Sequence, residues 1–393
     1  MEQVIIRKKK EAALARRHPW VFSGAVREVP DGLKDGDTVA VKGESGRYLG
    51  MGHFQRGSIM VRMISFDQRS AGLEFWAQKI QNAYACRSAL GLIDRPGLNA
   101  YRLVHAEGDG LPGLIVDIYD SVAVVQCHSI GMHRAMSLIV EALQAVLGPR
   151  LSAVYDKSAA TLPQQYAAGE ENGYRYGQGQ PLEILEYGHR FWVDWENGQK
   201  TGFFLDQREN RQLLGTYAGG KKVLNAFCYT GGFSVYALQA GARRVDSVDV
   251  SKTAVALTEQ NVALGGFETG THQAYAEDVM EFLKAAPAHD YDIAVVDPPA
   301  FAKNIKKRHN AVQGYKRLNA LAMQKVKAGG LLFTFSCSQV VDRALFNNTI
   351  VAAAHEAGRD ARVLHQLGQP ADHPVGIFHP EGEYLKGLVL YLG

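Results

Sequence analysis

The spacing of apolar positions changes period along this chain, and each change marks a change of structure. The first seventy or so residues hold short runs: Thr38-Val39-Ala40-Val41, Arg47-Tyr48-Leu49-Gly50 and Ser58-Ile59-Met60-Val61-Arg62. Gly36-Asp37 and Gly43-Glu44-Ser45-Gly46 separate them as turn signals, so this part predicts a small all-β unit. Leu73 to Gly91 then places Phe75, Ile80, Tyr84 and Leu90 at helical spacing. Strand-like runs follow at Tyr101–Val104, Leu114–Tyr119, Val122–Cys127, Ala153–Tyr155, Leu182–Glu186 and Arg190–Val193. A helix over Met136–Leu147, closed by Gly148-Pro149, makes this middle region mixed α/β. Residues 161–180, rich in Gln, Gly, Tyr and Glu, read as an exposed loop.

From Trp195 onward the pattern becomes strand, helix, strand, helix. Val223-Leu224 starts a strand, Tyr229-Thr230-Gly231-Gly232 breaks it, and Phe233, Tyr236, Ala237 and Ala240 share one face of a helix that Gly241 stops. Arg244 to Val250 is the next strand, with Asp249 near its carboxyl end. Helices over Gln207–Leu214, Thr253–Leu264 and Tyr315–Lys327 alternate with strands over Asp290–Val296 and Leu331–Phe335, and Gly329-Gly330 reads as a helix stop. Such alternation predicts a doubly wound, mostly parallel sheet, in which ligands bind at the carboxyl ends of the strands. Gly231, Asp249, Asp278, Asp297 and Cys337 all fall at those ends.

Composition narrows the class. A chain of 393 residues is long for one core. Its formal charge of +3 is too small to imply a nucleic-acid partner by itself. The cations are clustered, however: Arg7 to Lys10 with Arg16 and Arg17 stand beside Trp20 and Phe22, a combination suited to RNA phosphates and unstacked bases. A solvated charged edge over core aromatics would read the same way. The four cysteines are widely spaced with no CxxC pair, which argues for reduced thiols in the cytosol and against a zinc ribbon. The scattered His105, His128 and His133 lack ligand spacing and read as structural, so no metal is expected. Met1 to Lys10 is too charged for a signal peptide and no apolar run is long enough to span a bilayer. The expectation is a cytoplasmic protein with no membrane partner.

Candidate chemistry lies in the alternating half. A glycine turn after the first strand and an acid after the second mark a nucleotide-cofactor site, since glycine lets backbone approach a ligand and an acid can hold ribose hydroxyls. A dinucleotide site would want G-x-G-x-x-G, and the third glycine is missing, so S-adenosylmethionine fits better than a nicotinamide cofactor. By itself the turn is also what a plain strand-to-helix connector looks like. Asp297-Pro298-Pro299-Ala300-Phe301 forms a stiff loop that can present an acid and a stacking ring to a planar base. Cys337, between two serines at a strand end, is a candidate nucleophile. Carbon 5 of a pyrimidine needs a thiolate on carbon 6 before it can take a methyl group, whereas amino-group methylation needs no thiol. Cys337 therefore points to 5-methylpyrimidine formation.

The stretches HPWVFSGAV, AEGDGLPGLIVDIY, ENGQKTGFFLDQRENR, NAFCYTGGFSVYA, DPPAFAK and TFSCSQ resemble, over essentially the whole chain, the RlmI-like family of class I methyltransferases that make 5-methylcytosine in large-subunit ribosomal RNA. The resemblance implies an N-terminal PUA-like β-barrel (residues 1–72), a small central α+β domain (73–195) and a C-terminal Rossmann-like methyltransferase domain (196–393). It implies Cys337 as nucleophile with Asp297 assisting at the cytosine. Gln199, Phe227, Tyr229, Gly231, Asp249, Asp278 and Asp297 carry over as cofactor contacts. Phe301, Lys303 and Trp20 are expected at the RNA, with Lys303 in the basic, insertion-like loop Lys303-Asn304-Ile305-Lys306-Lys307-Arg308-His309. The family also suggests a homodimer, although no heptad signal is present. Three competitors stay open: the same fold methylating a guanine, the same fold methylating a transfer RNA cytosine, and a non-catalytic RNA-binding ribosome-assembly protein.

Overall fold

In the computed structural model, which describes residues 1–302 and 304–393, the chain divides into two compact units. The first comprises Met1–Ile184, Val193–Leu205 and Ala371–Gly382; the second comprises Leu185–Trp192, Asp206–Pro370 and Glu383–Gly393.

The first unit contains two sheets. Six short strands make one, in the spatial order Trp20–Phe22, Ile59–Ser65, Tyr48–Phe54, Thr38–Gly43, Gln3–Ile6, Val26–Glu28. Its core is Val4, Ile6, Val39, Val41, Phe54, Val61 and their neighbours. The strands cross tightly at Gly52, where a Cβ would lie 2.3 Å from the Arg62 carbonyl oxygen. The second sheet runs Gly173–Gly177, Ala153–Asp156, Val122–Cys127, Leu114–Tyr119, Ala100–His105. Val122–Cys127 is buried at every position. Helices Leu73–Ala89 and Met136–Leu147 supply Phe75, Trp76, Ile80, Ile139 and Leu143 to the core beside it. Residues 161–180, expected as a loop, hold a helical turn at Gln164–Ala167 and the edge strand Gly173–Gly177. Pairing with Ala153–Asp156 makes that strand, although Gly173–Gly177 is half-buried or exposed throughout and so carries no apolar signal.

The second unit is the doubly wound sheet. Its order is His272–Ala276, Arg244–Asp249, Lys222–Ala226, Tyr291–Val296, Val326–Ser336, Lys386–Leu392, Ala361–Gly368. The first five strands are mutually parallel and the last two join antiparallel. Because strand side chains alternate faces, Val223, Val245, Ile293 and Val295 enter one core while Leu224, Val248, Ala294 and Val296 enter the other. Gly329-Gly330 does not stop a helix here: helix Arg308–Lys325 ends earlier, and one strand runs through Val326–Ser336 with Gly329 at φ 79°. The same helix begins seven positions before Tyr315, so most of the basic stretch expected as a loop is helical: Ile305–Lys307 is a 3-10 turn and the helix starts at Arg308.

A buried ion pair braces the start of helix Gly232–Gln239. Glu186 is fully buried, and its carboxylate accepts from Arg211 Nε at 2.8 Å, from Arg211 Nη2 at 2.7 Å and from the Tyr236 hydroxyl at 3.1 Å. Replacing Glu186 with Ala leaves a buried guanidinium without its counter-charge. The expected loss is about 3–5 kcal/mol of unfolding free energy in a urea titration.

Candidate active site

Parallel strands that end on the same edge bring distant residues together. Phe227, Asp249, Asp278, Asp297 and Cys337 each lie at or within two residues of the carboxyl end of Lys222–Ala226, Arg244–Asp249, His272–Ala276, Tyr291–Val296 and Val326–Ser336 respectively. Gln199 and Trp20 belong to the first unit, and Lys303 lies outside the described residues.

The loop after the first strand is unusual in its backbone. Phe227, Tyr229 and Gly231 have φ of 61°, 47° and 76°. Two of these are left-handed residues with side chains, a conformation that surrounding contacts must hold in place. The contacts are present: the Cys228 amide donates to the Val248 carbonyl at 3.0 Å, Thr258 Oγ1 to the Tyr229 carbonyl at 2.8 Å, and Asn261 Nδ2 to the Thr230 carbonyl at 2.8 Å. Asp249 closes the loop, its Oδ2 accepting the Tyr229 amide at 3.1 Å and its Oδ1 the Ser251 amide at 2.9 Å. Asp278 is exposed and caps helix Val279–Ala285 with Oδ1. Each carboxylate oxygen has two acceptor sites, so both acids keep acceptors for ribose hydroxyls or an adenine amino group. These acceptors fit the hydroxyl and amino groups of an adenosyl cofactor.

Gly231 has no substitute. Besides its positive φ, a Cβ there would lie 2.7 Å from Thr258 Cγ2 and 3.2 Å from Thr258 Cα. Gly231→Ala is therefore expected to displace the loop and weaken S-adenosylmethionine binding at least about tenfold by calorimetry, with a loss of about 1–3 kcal/mol in stability.

The second half of the site surrounds Asp297. Gln207 Nε2 donates to Asp297 Oδ2 at 2.9 Å, and Asn210 Nδ2 holds Gln207 Oε1 at 2.6 Å. Burial, then the Asp206 carboxylate, push the Asp297 carboxyl up to about 7; Gln207 and Arg211 oppose them. Asp206 itself accepts the Tyr384 hydroxyl on Oδ2 at 2.7 Å. Cys337 is half-buried; burial, followed by Asp297 and Asp206, raises its thiol to about 11. Lys386 pairs across the sheet from Ser336, is buried, and donates from Nζ to the Ser338 carbonyl at 2.7 Å. Its charge eases ionisation of the thiol, and burial lowers its own ammonium to about 8. Ser338 Oγ donates to the Ala302 carbonyl at 2.8 Å, tying the cysteine turn to the proline loop. Phe301 leans on Tyr315 with ring centroids 4.6 Å apart and stays 36% exposed, so part of its face is open to a base.

Cys228 has a different environment. Its Sγ lies 3.4 Å from Thr258 Oγ1, and burial pushes the thiol up to about 12. Asp206, Gln207, Tyr384 and Lys386 were not singled out from the sequence. Asp206-Gln207 does lie within the quoted FFLDQRENR, but the partners of Tyr384 and Lys386 are 178 and 48 residues away, with no local signal.

A glycine turn after the first strand, acids after the next two and a doubly wound sheet closed by an antiparallel pair define a Rossmann-like methyltransferase. Comparison with known proteins agrees. Residues 119–377 match the model of the S-adenosylmethionine-dependent methyltransferase family, and residues 4–66 match a PUA-like domain. The chain belongs to the S-adenosylmethionine-dependent methyltransferase family, and S-adenosylmethionine is its cofactor. It is 42% identical over 390 residues to Ribosomal RNA large subunit methyltransferase I of Aeromonas hydrophila, covering 98% of this chain and 97% of the relative. The protein of the same name in Shewanella amazonensis is 42% identical over 387 residues, covering 97% and 96%. Among solved structures, one described as a methyltransferase complexed with SAH superposes with a TM-score of 0.86 at 25% identity, covering 99% of this chain and 100% of that one. No helix among the described residues is long and apolar enough to cross a membrane.

Proposed function

We propose that this protein methylates carbon 5 of a cytosine in large-subunit ribosomal RNA, with Cys337 as covalent nucleophile and Asp297 as the acid at the base. The observation that carries the reading is the pairing of a half-buried thiol with a carboxyl of pKa about 7 at neighbouring strand ends. Relatives bearing a ribosomal RNA methyltransferase name over nearly the whole chain supply the substrate class.

The Cys337 thiolate adds to carbon 6 of the ring. Protonated Asp297 meanwhile donates toward the ring nitrogen, where negative charge develops. Carbon 5 becomes enamine-like and nucleophilic. When bound, S-adenosylmethionine supplies the sulfonium methyl that carbon 5 takes. Loss of the carbon 5 proton to a base then expels the thiolate and restores aromaticity. Gln207 holds the Asp297 carboxyl in one orientation, and Lys386 fixes the turn carrying the thiol. A target cytosine that is paired or stacked must be turned out of its helix to reach the thiol.

Labelled methyl transfer to undermethylated large-subunit RNA, followed by nucleoside mass spectrometry, tests the product. The expected nucleoside is 5-methylcytidine. An N-methylguanosine would replace this reading with amino-group methylation on the same fold.

A further inference from the structure

The first unit encloses a cavity of about 460 Å³ that the chemistry at Cys337 does not use. Three segments far apart in sequence build it: the end of strand Ile59–Ser65 with Phe66 to Arg69, helix Leu73–Ala89, and Gly376 to His379. Buried ties hold that last segment in the unit. Arg87 Nη2 donates to the Asp372 carbonyl at 2.7 Å, and the Arg102 amide donates to Asp372 Oδ2 at 3.0 Å.

Three features of the lining point to a ligand. His379 is 4% exposed, yet neither of its ring nitrogens has a hydrogen-bond partner among the described residues. Its Nε2 lies 3.9 Å from Glu381 Oε2, beyond hydrogen-bond reach, and buried polar groups rarely stay unsatisfied, so this ring on a cavity wall calls for a partner. Burial lowers the pKa of this imidazole, so the neutral ring offers one donor and one acceptor. Arg17, also on the wall, holds φ at 61° as the left-handed residue that ends helix Glu11–Ala15, its amide donating to the Leu14 carbonyl at 2.8 Å and that of His18 to the Ala13 carbonyl at 3.0 Å. Arg17, Arg69 and Lys79 bring cations to the wall, against the carboxylates Asp67 and Glu107. Glu107 is already engaged, accepting the Trp20 indole N–H at 2.8 Å. Finally, Phe378 is 52% and Ile377 87% exposed at the rim, with Phe66 also in the lining.

Cations for phosphate, aromatic surface for a base and polar groups for a base edge, here the imidazole of His379 and the mutually hydrogen-bonded amides of Gln78 and Asn82, are the requirements of single-stranded RNA recognition. We infer that this cavity is an anchoring subsite for one unpaired nucleotide of the RNA substrate. In it, Arg17 and Arg69 take the phosphate, Phe378 stacks on the base, and His379, Gln78 and Asn82 meet the base edge. The inference rests on the reading that the substrate is RNA.

The test uses the full chain, fluorescein-labelled single-stranded RNA and an undermethylated large-subunit RNA fragment. Arg17→Ala/Arg69→Ala is expected to lower RNA affinity at least about tenfold and to flatten the salt dependence by about one to two units of slope. Phe378→Ala, at an exposed position, should cost about five- to a hundredfold. S-adenosylmethionine affinity should be unchanged in both, which shows that the variants are folded. If wild type binds and methylates RNA while both variants keep its affinity and salt slope, the subsite does not exist. If the variants lose activity only on ribosomal particles and not on naked RNA, the cavity takes a protein instead and the inference is wrong. If wild type itself neither binds nor methylates RNA, the substrate reading fails and takes the subsite with it.

Discussion

Cys337→Ala should lower methyl transfer to RNA at least about 10⁴-fold while leaving S-adenosylmethionine affinity and the melting temperature nearly untouched. The size of the loss follows from the chemistry. Without a sulfur on carbon 6, carbon 5 of cytosine has too little electron density to attack a sulfonium methyl, and no neighbouring group replaces that bond. Cys228 cannot substitute, because its sulfur is held against Thr258 and its thiol is the more weakly acidic of the two. The small effect on stability follows from position: Cys337 is half-buried at a strand end and packs only at the margin of the core. A direct readout accompanies the rate. With RNA carrying 5-fluorocytidine, the fluorine cannot leave as a proton would, so wild type should remain joined to the RNA after denaturation and the variant should not. Transfer by wild type without any such adduct would rule out the thiol mechanism and favour methylation of an amino group.

The doubly wound unit was legible because its central strands are buried on both faces and its turns are punctuated by glycine and proline; the edge strands His272–Ala276 and Ala361–Gly368, half-buried or exposed at nearly every position, gave no such signal. Val223–Asp249 announces strand, turn, helix and strand with almost no tertiary help. The acids and the cysteine at the strand ends could be placed from that alternation alone, since parallel strands share one functional edge. What escaped depended on pairings between distant segments. Lys386 reaches the cysteine turn only because Lys386–Leu392 inserts antiparallel beside Val326–Ser336, which places it opposite Ser336. Gly329-Gly330 looked like a helix stop because glycine punctuates locally, whereas the pairing of Val326 with Tyr291 before it and of Leu331 with Ile293 and Tyr391 after it carries the strand across an irregularity there. Ala371–Gly382 shows the same limit: the sequence places it near the end of the methyltransferase half, and it is contacts with distant residues, those of Arg87 and Arg102 and the ring contacts of Trp20 with His379 and of His105 with His373 among them, that tie it to the first unit. Asp206 and Gln207 stood in a stretch that carried the family resemblance, yet their partnership with Asp297 needed the third dimension.

That partnership leads to a pH profile with an inverted assignment of protons. The proposed mechanism requires an active form with Asp297 protonated and Cys337 ionised, although the acid titrates at about 7 and the thiol at about 11. Below pH 7 the acid keeps its proton while the thiolate fraction grows tenfold per unit, so kcat/KM should rise with a slope near one. Above pH 7 each further unit gives tenfold more thiolate and tenfold less acid, and the profile should level off. Asp297→Asn removes the second titration. Its kcat/KM should fall by about 10²- to 10⁴-fold at pH 6, the usual contribution of a positioned acid, and then continue to climb where wild type is flat. The ratio of wild-type to variant rates should therefore shrink about a hundredfold between pH 7 and pH 9, as two units of lost titration require. Steady-state assays from pH 5.5 to pH 9 cover the window before alkaline cleavage of RNA interferes. A variant whose profile bends at pH 7 as wild type does would show that the ionisation there belongs to another group.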